Sequence, residues 1–163
     1  MEPIKNIFSD SEGNHLMVAL DFCDYSYKVD TLQIPEEYSE IEIVDISIEK
    51  VFVDKPINPV VFFRMSSWLL QQFRTHGNAI FTYICSTDDL ATNHVDVEPQ
   101  RYRWELFDRL FQRMKVNIDL NIQDVIVGPD EYLTYGRAFY RTEHSSIIHI
   151  VAAHLEEKQR LYQ

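Results

Sequence analysis

Glycine and cysteine are scarce in this chain of 163 residues, which carries four of the first and two of the second. So few glycines leave no P-loop and no dinucleotide-binding fingerprint, which disfavours a standard ATPase or nicotinamide enzyme. Ser145-Ser146 lacks the G-x-S-x-G elbow of a serine hydrolase. Cys23 and Cys85 form no C-x-x-C pair and are too few for a disulfide framework, so two reduced thiols in a cytoplasmic protein are expected, with a single disulfide between them as the alternative. No apolar run approaches the roughly 18 residues of a membrane span. The opening Met-Glu-Pro-Ile-Lys lacks the basic and apolar regions of a secretory signal.

Positive charge is also in short supply. Lys and Arg number 15 against 26 Asp and Glu, giving a formal charge of −11. A duplex or an anionic membrane requires a basic stripe, so neither is an expected partner. The densest basic stretch, Arg101 to Lys115, is neutralised from within, because Glu105 lies at helical i,i+4 spacing from Arg101 and Arg109. An acidic exterior implies solubility, a cationic partner, or both. A homodimer stays open.

What is present is an ordinary globular composition, 45% apolar and 25% charged, with enough aromatic residues (13%) to fill one core. One domain over 1–163 is expected. His15 to Phe22 and Tyr25 to Ile34 read as two antiparallel strands. Ile41, Ile43, Ile46, Ile48, Val51 and Val53 form a third strand, whose apolar parity changes twice and predicts a bulge or bend. Asn58-Pro59 opens a largely buried helix through Phe73, stopped at His76-Gly77. Ala79 to Cys85 is short, β-branched and aromatic, a central strand. Pro99 opens an amphipathic helix with Tyr102, Leu106, Leu110 and Met114 on one stripe, flanked by Phe107 and Phe111. Ile118, Leu120 and Ile122 alternate with polar residues, and Gly128-Pro129-Asp130 turns the chain into a strand from Tyr132 to Thr142. A last helix begins near Ser146. The expected class is α/β (α+β), a mixed, mainly antiparallel sheet in the order β-β-β-α-β-α-β-β-α, with a parallel crossover through Trp68.

Two resemblances follow from these residues. Tyr83-Ile-Cys-Ser-Thr-Asp-Asp89 with Arg103-Trp-Glu-Leu-Phe-Asp-Arg-Leu-Phe111 is similar to a small bacterial family known only as a domain of unknown function. The element order resembles the core of the GNAT N-acetyltransferases. That resemblance implies a bulged third strand, Glu49 as general base, and acetyl-CoA held by a loop at the start of the first helix. The loop here, Asp54-Lys55-Pro56-Ile57-Asn58-Pro59, has no glycine and two prolines without N–H groups, and Asp54 repels phosphate.

Cys85, Ser86, Thr87, Asp88 and Asp89 stand at the C-terminal end of the expected central strand, where α/β folds place ligands. They are the ligand-contact candidates, with His94 as a base should Cys85 act as a nucleophile. No metal is expected. Asp88, Asp89, Asp96, Glu98 and His94 lack the glycine of a calcium loop. His144, His149 and His154, spaced by five residues, diverge by about 140° per step on a helix. The expected function is non-catalytic binding or regulation without a cofactor. The alternatives are an N-acyltransferase using acetyl-CoA and an acidic protein–protein interaction module.

Overall fold

The computed structural model describes residues 2–84, 108–109, 111–112, 118–129 and 133–161. Among these residues six strands form one sheet: β1 (Ile4–Ser9), β2 (His15–Phe22), β3 (Glu42–Phe52), β4 (Ala79–Ile84), β5 (Asn121–Val127) and β6 (Thr134–Tyr140). Their order across the sheet is β1-β2-β3-β4-β6-β5. Only β3 and β4 run parallel, joined through helix α1 (Pro59–Thr75), and every other neighbouring pair is antiparallel. Helix α2 (Ile148–Arg160) follows β6. The class is therefore α+β, with a mixed and mostly antiparallel sheet.

Two apolar cores lie on opposite faces of the sheet. On one face, Phe8, Leu16, Val18, Leu20, Val44, Ile46, Phe81 and Tyr83 meet Val61, Phe62, Met65 and Phe73 of α1. On the other, Ile43, Ile80 and Ala138 meet Ile148, Val151 and Leu155 of α2, with Leu32, Ile34 and Ile41 beside them. This arrangement explains the first parity change in β3. Ile43 faces α2 while Val44 and Ile46 face α1, so the strand is apolar on both sides without any kink. The second change is a true irregularity: Leu16 pairs with Lys50 but His15 pairs with Phe52, leaving Val51 as the extra residue. Strand β4 is buried from Ala79 to Tyr83, as befits the middle of a sheet covered on both faces.

Helix α1 starts where its sequence says it should. The Asn58 side chain accepts the Val60 N–H at 3.0 Å and Pro59 takes the first turn, where a missing N–H costs nothing. At its other end Arg141 donates to the carbonyls of His76 (3.2 Å) and Phe73 (2.5 Å), with the guanidinium 4.0 Å above the Phe73 ring. A cation on the last carbonyls also complements the helix dipole.

The second expected strand is corrected. Residues Tyr27–Thr31 form a turn of π-helix, and the strand that pairs with β2 on its outer side is β1, before it in sequence. The local chemistry decides the matter. The Asp24 carboxylate accepts the Tyr27 N–H at 2.7 Å and the Asp24 carbonyl accepts the Lys28 N–H, so a side-chain cap wins the backbone for a helical turn. The buried Lys28 then ties the turn down, its Nζ donating to the carbonyls of Ser39 (3.0 Å) and Ile41 (2.7 Å). Strand β5 begins at Asn121, after Ile118 and Leu120, which pack on the α1-side core from outside the strand. Most of the expected helix after Pro99, including Phe107, lies outside the described residues. Of its described positions, Asp108, Arg109, Phe111 and Gln112 are helical, and the Phe111 ring lies 5.5 Å from that of Phe139.

Candidate functional site

Three places could carry chemistry. The first is the start of α1, which the acetyltransferase resemblance makes a phosphate site. The turn between β1 and β2 reaches it: Asp10 accepts the Asn58 N–H at 3.1 Å and the Asn14 amide at 2.9 Å. Asn14, itself buried, donates to the Pro56 carbonyl and accepts the Asp54 N–H. Desolvation raises the Asp10 pKa, but hydrogen bonds from Asn14, Asn58 and Glu12 outweigh it and hold the carboxyl below its ordinary value. A carboxylate thus occupies the donors nearest this helix start. Glu49 is exposed on β3, paired across the ladder with Met17, next to the bulge.

The second place is a polar cluster between the sheet and α2. Asp45 accepts a hydrogen bond from the Thr82 hydroxyl and pairs with Lys158 at 3.2 Å. One turn earlier on α2, His154 is hydrogen-bonded to the Tyr27 hydroxyl, the rings edge to face. Cys23 lies near these charges, and burial followed by Asp45 pushes its thiol up to about 11. Burial, then Cys23, likewise raises Tyr27 to about 12. Burial and Lys158 push His154 down. At neutral pH the thiol, phenol and imidazole are all uncharged, the reverse of the thiolate–imidazolium pair that makes a cysteine nucleophilic.

The third place is an open depression of about 260 Å³, lined by Glu37, Tyr38, Glu40, Ile41, Asn78, Glu143 and His144. It lies where the parallel strands begin. Glu37 and Tyr38 come from the short 3₁₀ turn Glu36–Tyr38, Asn78 precedes β4, and Glu143 and His144 belong to the 3₁₀ turn Thr142–His144. Each wall is fastened. The Tyr38 hydroxyl and Ser146 Oγ share a hydrogen bond of 2.5 Å, and Asp119 accepts both the Thr142 N–H and its hydroxyl. Asn78 Nδ2 donates to the Glu40 carbonyl at 2.9 Å, and its Oδ1 lies 3.1 Å from His144 Nε2. His144 is 2% exposed, and its Nδ1 has no hydrogen-bond partner among the described residues. Burial pushes its pKa down, opposed by Glu143 and Asp119 and reinforced by Arg141. Among the described residues the depression is lined by three carboxylates and by no lysine or arginine.

The ligand-contact candidates Cys85, Ser86, Thr87, Asp88 and Asp89 lie outside the described residues, as do His94, Asp96 and Glu98. Among the described residues no three His, Cys, Asp or Glu side chains group to hold a metal ion, and no helix is long and apolar enough to cross a membrane. His149 is exposed while His144 and His154 face different neighbours, so the three histidines do not converge. Sequence reading missed the depression. Its residues are scattered from 37 to 144, with no local motif to join them. No family model, no curated protein and no solved structure matches this chain.

Proposed function

We propose that this protein is a non-catalytic binding domain, built on a GNAT-like arrangement of strands, that docks a positively charged protein partner at its acidic depression. The observation that carries the reading is the gathering of Glu37, Glu40 and Glu143 around one open space whose lining, among the described residues, holds no lysine or arginine. A net charge of −11 extends the attraction beyond the contact itself and speeds encounter with a basic partner. At about 260 Å³ the space falls below the ~300–1,000 Å³ of sites for drug-sized ligands and suits the tip of a side chain.

The acyltransferase alternative draws support from the strand order, the single parallel pair and the bulge beside Glu49. Against it stand Asp10 at the start of α1 and the absence of glycine from residues 54–59. A labelled lysine-rich peptide should bind in fluorescence anisotropy, and binding should weaken as salt rises through about 0.15 M, where the Debye length is about 8 Å. No binding at low salt overturns the proposal. Melting with and without acetyl-CoA tests the alternative, because a site filled at 100 times its dissociation constant adds about 2.7 kcal/mol.

A further inference from the structure

We propose that β1 is a self-pairing edge, along which two copies of this chain join antiparallel about a two-fold axis at Asn6 into one continuous sheet. Strand β1 ends the sheet, and among the described residues nothing pairs with its outer side. The usual guards of such an edge are few. Its ladder with β2 runs unbroken from Ile4 to Ser9, no proline interrupts it, and Lys5 is its one charged residue. Ile7, near its middle, is 57% exposed. On a chain of net charge −11, a strand with a lysine and no acid is where a second copy can approach.

The hairpin fixes which backbone groups face outward. Asp10 donates its N–H to the Asn14 carbonyl at 3.1 Å and accepts the Gly13 N–H at 3.4 Å, so both its polar groups turn toward β2. Along an antiparallel strand these groups alternate sides. Phe8, Asn6 and Ile4 therefore turn inward, and Ser9, Ile7 and Lys5 turn outward. Arg64 bears this out by donating to the outward Ser9 carbonyl, which is thereby engaged.

A two-fold pairing centred on Asn6 sets Lys5 opposite the partner's Ile7 and Ser9 opposite the partner's Pro3. Lys5 and Ile7 then exchange N–H and C=O bonds on both sides of the axis. The Ser9 N–H meets the partner's Pro3 carbonyl. What this last pair lacks also matches: Pro3 has no N–H to give, and the Ser9 carbonyl already holds Arg64. Centring on Ile7 instead aims the Lys5 N–H at that engaged carbonyl, and centring on Lys5 sets like charges opposite each other. In the favoured register the Lys5 stem covers the partner's exposed Ile7. On the other face Ile4 comes beside the partner's Phe8, extending the apolar layer under α1. The contact is isologous, so it closes at a dimer.

Sedimentation of the full chain over a concentration series should show a monomer–dimer equilibrium. Added salt should strengthen it by screening the two acidic bodies, the opposite of its effect on peptide binding. Ile7→Lys, facing the partner's Lys5, should abolish the dimer, whereas Ile7→Glu, facing the same lysine, should retain it. Equal melting temperatures of the two variants in dilute solution show that each monomer folds. Asn6→Cys should cross-link to its own copy under mild oxidation, because a non-hydrogen-bonded pair holds its Cα atoms about 4.5 Å apart, within reach of a disulfide. Ile7→Cys should not, its copy lying on the diagonal at about 7–8 Å. A monomer at every concentration and salt overturns the proposal. So does a dimer that survives Ile7→Lys, or cross-linking through Ile7→Cys in place of Asn6→Cys. The acidic depression and its peptide test are untouched by any of these results.

Discussion

The two faces of the sheet are held by different physics. Under α1 the contacts are apolar and aromatic: Phe8 meets Trp68 edge-on at 5.9 Å, Phe73 meets Phe81 at 5.5 Å, and Phe62 and Met65 are sealed. Under α2 a smaller aliphatic core is rimmed by polar pins. Lys158 holds Asp45, His154 holds Tyr27, and the fully buried Gln159 donates to the carbonyls of Val125 (2.8 Å) and Thr134 (3.0 Å). Dispersion and apolar burial are non-directional and tolerant of pH, whereas hydrogen-bonded pins fix register and bring titratable groups indoors. The contrast teaches that one sheet can carry a core for stability and a core that sets position.

The largest effect expected from this contrast is on the apolar side. Phe62→Ala should cost about 3–5 kcal/mol in urea unfolding, the range for a sealed aromatic ring. A loss under about 1 kcal/mol would break the claim that this face dominates stability. Next comes the closest approach on the polar side. A Cβ at Gly136 would collide with the Gln159 amide, whose Cδ would lie 2.9 Å away. Gly136→Ala should cost about 1–3 kcal/mol, and adding Gln159→Ala should cost less than the sum of the two single changes, because the second removes the obstacle. Strict additivity would show that the two residues do not meet.

The smallest effect sharpens the contrast through pH. Burial lowers the pKa of both His144 and His154 below the ordinary histidine value of 6.5. Glu143, Arg141 and Asp119 surround the first, and Lys158, Asp45 and Glu157 the second. Between the lowered folded value and 6.5 the unfolded chain binds more protons, so stability is full above that window and falls as the pH drops through it. Urea midpoints at about pH 7.5 and about pH 5.5 should differ, and His154→Gln should reduce the difference while Phe62→Ala leaves it unchanged. A second acid loss is expected below 3.8, where Asp10 and Asp119 give up their hydrogen-bonded carboxylates.

Much of the fold was legible because its strongest signals are local. The Asn58-Pro59 cap, the apolar run to Phe73, the short β-branched strand from Ala79 and the bulge near Val51 each follow from neighbouring residues. The stretch from Tyr25 to Ile34 misled because its alternating Tyr25, Tyr27 and Val29 look like one strand face, while Tyr25 is 63% exposed and Asp24 caps a turn. Strand β1 was hidden because its apolar residues fall on both parities. Ile4 and Phe8 face the core and Ile7 is 57% exposed. The candidate site was illegible for a further reason: Glu37, Asn78 and Glu143 become neighbours only after β3, β4 and β6 have paired. Sequence pointed to the C-terminal end of β4, and the depression lies at its N-terminal end.

The position of β4 has a consequence for how the chain is made. On one side it pairs with β3, about the distance of one helix back in sequence; on the other, Phe81 waits for Phe139. As a nascent chain leaves the ribosome, the N-terminal half can assemble four strands and α1 while the far side of Ile80–Ile84 has no partner. The most apolar strand of the finished protein is thus, during synthesis, a bare edge of the kind that recruits foreign strands. Slow translation over residues 85–133 should lengthen that exposure and raise the demand for a chaperone.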